Sequence, residues 1–127
     1  MHRRDSNSIE IQDPWIRAPA PFAQTLGGFM VVKNHSAQAV ALVQAEAKGF
    51  DHVMLHHSIN ENGMHRMIHV EKIVIPPHDQ IKFQHGSYHL MFVGKHKPTR
   101  PDDIIPVTLK FDNGTQTLVS FFVKKPG

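Results

Sequence analysis

The chain contains no cysteine. That absence removes thiolate nucleophiles, disulfides, zinc fingers and the ordinary blue-copper centre, all of which draw on cysteine sulfur. Any sulfur chemistry must come from the thioethers of six methionines. Thioethers need no reducing surroundings, so a methionine-based site works in an oxidising compartment where thiols would be lost. Nothing approaches the roughly 20 apolar residues of a membrane span. The opening MHRRDSNSIEIQDPW has no apolar run that could act as a secretory signal. The chain therefore reads as either cytoplasmic or the mature form of an exported protein whose signal has been removed. A strong charge of one sign is also missing. The net charge is +3, and cations are grouped only at Met1-His2-Arg3-Arg4 and Lys124-Lys125, which leaves no nucleic-acid footprint. Enzyme signatures are absent too: no Ser/His/Asp arrangement, paired-carboxylate motif or Gly-rich phosphate loop.

What is there begins with size. A length of 127 residues, 40% hydrophobic and 20% charged, predicts one globular domain spanning 1–127, with 1–7 as a flexible N-terminal segment. The pattern is short β-like runs broken by turn signals. Ile9-Glu10-Ile11 alternates, and Asp13-Pro14 is read as a turn before Trp15-Ile16-Arg17. Ala18-Pro19-Ala20-Pro21 is too proline-rich for a central strand. Further strands are predicted over 27–33, 40–47 and 52–57, with Ser58 to Gly63 as a loop. Met64 to Ile75 is the longest strand candidate; strands over 80–83 and 88–93 flank a turn at Gln84-His85-Gly86-Ser87. Val107 to Phe111, the turn Asp112-Asn113-Gly114 and Thr115 to Val123 form a hairpin. Only 37–47 could be helical. Seven to nine strands spaced this way indicate an all-β antiparallel sandwich or barrel.

The most informative residues lie in Tyr88-His89-Leu90-Met91, where an imidazole and a thioether stand two residues apart in a strand and so share one side. A second soft pair, His56 and Met67, lies upstream in LHHSINENGMHRM. Two imidazoles and two thioethers suit monovalent copper better than any other common metal. All four donors are uncharged, so the loaded site keeps the ion's single positive charge. Mobile thioethers can also be displaced one at a time by incoming ligands.

The spacing is His56, ten residues, Met67, twenty-one residues, His89, one residue, Met91. It resembles the signature of the PCuAC family of periplasmic copper chaperones, and the likeness extends over most of the chain. IQDPWIRAPAP is similar to that family's opening strand and loop, GGFMVVKN to its second strand, and GMHRMIHVEKIVIPP to its Met strand. GSYHLMFVGKHKP is similar to its His-any-Met strand, and DIIPVTLKFDNG to its closing hairpin. The resemblance implies a cupredoxin-like Greek-key barrel, Cu(I) as cargo, a periplasmic location, and copper delivery to a recipient such as the copper centres of cytochrome c oxidase or another copper chaperone. Ser87 stands where the family usually has a second Gly, Met54 where an acidic residue is frequent, and His85 where Pro is common. None of these departures removes a ligand.

Plainer readings compete at several positions. A lone Met on a strand is usually core filler, the reading for Met30; Met54 shares strand parity with His56 and is assigned to core or rim packing ahead of ligation. Trp15, Phe29, Phe92, Phe111 and Phe121 are expected in the core, and Tyr88 as a packing residue. Of eleven histidines, His2, His35, His57, His78 and His96 are read as surface side chains. His65 and His69 share parity with Met67, and His85 precedes the ligand strand. With Met54 these three are candidate auxiliary donors, where a harder ion such as Cu(II) could be recruited. Besides a Cu(I) carrier, two readings stay open: a metal-free β-sandwich for interaction, and an electron-transfer cupredoxin, disfavoured by the missing thiolate.

Overall fold

The computed structural model describes residues 8–20 and 23–125. Two expectations fall outside that span, the flexible segment 1–7 and, with it, His2.

The hairpin of β9 (Ile104–Phe111) and β10 (Gln116–Lys124) illustrates how the sequence makes this fold. Ile105, Val107, Leu109 and Phe111 are buried, as are Val119, Phe121 and Val123 opposite, while the residues between them face outward. Period-two patterning of this kind buries one face and fixes the register, because a one-residue slip would invert every side chain. Gly114, at φ 89°, turns the hairpin, and the Asn113 side chain accepts a hydrogen bond from the Thr115 amide at 3.0 Å.

Ten strands form among the described residues, and no α-helix, so the stretch 37–47 resolves as strand β3 (Val40–Ala47). The others are β1 (Ile9–Arg17), β2 (Thr25–Asn34), β4 (Phe50–Glu61), β5 (Met64–His69), β6 (Ile73–Ile75), β7 (Asp79–Phe83) and β8 (Tyr88–Lys95). Seven of them follow one another around a closed, cupredoxin-like barrel in the order β4, β8, β2, β1, β10, β9, β3. The pairing of Ala45 with Val53 closes the ring from β3 back to β4. Closure removes free edges from the wall. The core holds Phe83, Phe92 and Phe121 together with Ile16, Leu42, Leu90 and Val107. Each such side chain contributes about 1.5–3 kcal/mol through burial.

Five expectations change in detail. Asp13-Pro14 does not turn the chain. It forms a bulge inside continuous β1, with Asp13 at φ 50° and a register shift between Gln12 and Trp15, a place where proline's missing donor is tolerated. Ser58 to Glu61 belong to β4, which at 12 residues is the longest strand, and only Asn62-Gly63 turn. Met64 to Ile75 is two strands rather than one: β5 pairs with β4, and β6 crosses to pair with β3. The turn over Gln84 to Ser87 forms, the Ser87 amide donating to the Gln84 carbonyl at 2.9 Å, but β7 and β8 do not pair with each other. Both run antiparallel to β2, one after the other, with Phe83 opposite Met30 and Leu90 opposite Gly28, so Gln84 to Ser87 form an excursion within one line. Finally, β1 pairs with β10 in parallel, which local patterning gave no sign of.

Asn34 closes β2 as a buried polar residue. Its amide nitrogen donates to the Gln38 carbonyl at 2.8 Å and to the Ile75 carbonyl at 3.1 Å, and its oxygen accepts from the Ser36 amide at 2.9 Å. Satisfying these groups offsets the cost of burying them.

Candidate metal centre

β4 and β8 run side by side with Met54 opposite Met91, Leu55 opposite Leu90, and His56 opposite His89. Leu55 and Leu90 point into the core. Strand alternation therefore sends Met54, His56, His89 and Met91 to the outer face of the barrel wall. β5 continues that face beyond β4, placing His69 opposite His56 and Met67 opposite Ser58. On the other flank β2 sets Gly27 opposite Met91. The donors thus come from three strands, and the two histidines are central.

A groove of about 240 Å³ opens on this face, lined by Met67, His89 and Met91. Its walls are Phe29 and Arg17 on one side and the His85-Gly86 excursion on another. Gly27 keeps it open beside Met91, since a Cβ there would lie 3.4 Å from the Phe29 ring. His56 flanks the groove through His89, the ring centroids 5.4 Å apart at 79°; the His69 ring lies 6.2 Å from His56 at 87°. With an imidazole–metal distance of about 2.0 Å, as for d10 zinc, a shared ion lies about 3.2 Å from each ring centroid, so rings up to about 6.4 Å apart can share one. Both separations meet that limit.

Protonation favours ligation. Burial, reinforced by the charge of neighbouring His69, holds the His56 imidazole below the usual histidine range. His89 is lowered by burial first, then by His56 and His85, with the backbone of Ser87 pulling the other way. Both shifts favour the neutral ring, the form whose lone pair can ligate a metal. The His89 ring has a hydrogen-bond partner in the backbone of Ser87, whereas His56 has none. The His56 Nδ1 is buried with no hydrogen-bond partner, an open valence among the donors. Among the described residues no three His, Asp or Glu are grouped to hold a metal by themselves. The methionine sulfurs of Met67 and Met91 stand in the same groove.

The four residues singled out from the sequence, His56, Met67, His89 and Met91, come together on one face. Of the auxiliary four, Met54 faces Met91 directly, His69 faces His56, and His85 lines the groove. His65 does not join them. It pairs with Asn60 toward the β4–β5 turn, with Met64 beyond it 68% exposed. His57 faces away from His56 and stacks on Tyr88 at 4.1 Å, whereas His35 and His96 pair with Glu10 and Asp51, each at 2.8 Å. Met30 is core, as read. Trp15 is only half-buried, whereas Phe29 is buried as expected, 7% exposed, although it packs outside the main core cluster. Phe29 lies on the outer face between Trp15, at 5.0 Å, and His89, at 6.5 Å, and so forms a wall of the groove. Sequence reasoning missed Phe29, Gly27 and Arg17 as groove residues. The Gly27-Gly28 pair in mid-strand was the available signal, since glycine in a strand marks close approach.

Residues 9–123 match the LpqE-like family, described as "Putative lipoprotein LpqE-like". The chain belongs to this family. Another protein it resembles is "Putative lipoprotein Lxx21020" of Leifsonia xyli subsp. xyli, 24% identical over 122 residues, covering 95% of this chain and 72% of the relative. Two solved structures share the LpqE-like chain's fold. The copper-bound PCuAC domain from PmoF2 superposes with a TM-score of 0.81 at 22% identity, covering 99% of this chain and 100% of that one. The Cu(I) form of DR1885 from Deinococcus radiodurans gives a TM-score of 0.75 at 26% identity, covering 91% and 76%.

Proposed function

We propose that this protein is a Cu(I) carrier that holds one ion through His56, Met67, His89 and Met91 and passes it to a recipient copper protein. The observation that carries the reading is the register of β5, β4 and β8, which brings two imidazoles and two thioethers to one outer face, with Met67, His89 and Met91 lining the groove and His56 beside His89. The surroundings support a monovalent ion: among the described residues no carboxylate lines the groove, and Arg17 does. A cation beside the site disfavours ions of higher charge, and uncharged soft donors suit the monovalent one.

Carrying follows from the same features. The site opens outward, so a recipient's ligands can reach it, and 54% of Met67 is exposed on an edge strand, ready to be displaced first. The copper-bound PCuAC structures support this reading, and the lipoprotein names of the relatives support an exported, periplasmic protein. The copper centres of cytochrome c oxidase are the recipient class we propose. Electron transfer is disfavoured, because no cysteine can supply a thiolate.

Anaerobic titration with Cu(I) against a chromophoric chelator, on the wild type and the four single ligand variants, tests the assignment. The expected result is about one ion per chain and weaker binding in every variant. Unchanged affinity in His56 and Met67 variants would favour the metal-free interaction domain instead.

A further inference from the structure

A second recess, of about 410 Å³, adjoins the metal groove on the outer face and shares Phe29, Arg17 and His85 with it. Its apolar wall is the Trp15–Phe29 pair. Around it stand the cations Arg17, Lys82 and Lys124, with Lys124 Nζ 5.8 Å from the centre of the Trp15 ring. Asp13 is the sole carboxylate of the lining. Among the described residues none of these three cations has an ion-pair partner, although Arg66 and Lys110 elsewhere do. An aromatic wall ringed by unpaired cations favours an anionic group carried on an apolar body. The position adds a second constraint, because whatever sits here is held one side chain, Phe29, away from the donors.

We propose that this recess docks an acidic, partly apolar segment of the protein that exchanges copper with the groove. The proposal rests on the carrier reading for the exchange step, but not for the docking. Docking there would hold the partner's own ligands over Met67 and Met91, converting a bimolecular encounter into a local ligand exchange. Charge complementarity would also raise the encounter rate at low salt.

Trp15 is the only tryptophan of the chain, so its fluorescence reports on the recess directly. The probes are two tryptophan-free peptides carrying the same Met-x-Met pair, one flanked by Glu and Leu, the other by Lys and Leu. With the copper-free protein, the Glu peptide should shift the emission saturably and bind about 10-fold tighter than the Lys peptide, the difference fading at about 0.5 M salt. The double variant Lys82→Glu/Lys124→Glu, altered only at exposed positions outside the metal groove, should lose that preference. It should also slow Cu(I) transfer to the Glu peptide while its Cu(I) affinity stays within about 2-fold by chelator competition. Equal binding of the two peptides would overturn the proposal, as would anionic phosphatidylglycerol vesicles binding through these lysines in place of the Glu peptide. A protein that takes up the Glu peptide but no Cu(I) sinks the carrier reading and leaves the recess assignment standing.

Discussion

The two halves of the donor set rest on different supports. His89 and Met91 belong to β8, which is paired on both sides, to β4 and to β2, within the closed wall. His89 is only 6% exposed and packs near Phe29. Met67 and His69 belong to β5, a six-residue strand at the end of the sheet, paired only with β4. Edge strands with few buried contacts open locally at low cost, whereas strands in the wall open only with the fold. In the carrier reading we propose, the contrast makes His89, with His56, the fixed anchor and Met67 the ligand that comes and goes.

The largest effect that can break this contrast is at the anchor. His89→Ala should weaken Cu(I) binding about 100-fold or more, above the usual cost of losing a mere outer partner, and should lower the melting temperature through loss of a buried ring. Retained affinity in chelator competition would transfer the anchor role elsewhere. On the core side of the same wall, Gly28→Ala tests packing without chemistry. Its Cβ would lie 2.6 Å from Phe92 Cε1, an overpacking that should cost about 1–3 kcal/mol in denaturant unfolding. Copper affinity measured on the folded fraction should stay near wild type.

At the edge, Met67→Ile should reduce affinity about 10-fold with stability changed by less than about 0.5 kcal/mol, because the side chain is exposed. The same exchange at Met91, half-buried between Gly27 and Met54, should cost similar affinity and up to about 1.5 kcal/mol of stability. Equal thermal shifts in the two variants would erase the distinction between wall and edge.

The smallest effect is pH. His56 and His89 are held below the ordinary histidine value, so proton competition with copper sets in only below about 6.5. Stability has the same sign. The unfolded chain binds protons at these rings more readily than the folded one, so their contribution is full above about 6.5 and is lost as pH drops toward the depressed folded values. Titrations from pH 7.5 to 5 that show constant affinity would contradict imidazole ligation.

Much of the site was legible because its information is local. His89 and Met91 share a face by alternation alone, and their spacing to His56 and Met67 resembled a known pattern. The β9–β10 hairpin and its Asp112-Asn113-Gly114 turn were legible for the same reason. The failures occurred where pairing between distant segments overrode local cues. Glu71-Lys72 gave no decisive break, so two strands with different partners read as one. Gln84 to Ser87 carried turn residues, yet the flanking strands both follow β2, and the turn became the excursion that lifts His85 to the groove. Trp15 looked like core because aromatic residues usually are. Its side was decided by the bulge at Asp13-Pro14 and the register with β2.

By itself the sequence determined that this chain is all-β, that it has no thiolate chemistry, and which four side chains could form a soft, neutral donor set. Those properties depend on residue identity and on a two-residue period, and neither needs a partner strand. The tertiary structure alone decided that the candidate donors share the outer face of the barrel, that one thioether rides on an edge while the other is set in the wall, and that a cationic, aromatic recess lies beside them. Each of these is a consequence of register between strands tens of residues apart, which is set by how the whole core closes rather than by any segment's own preference.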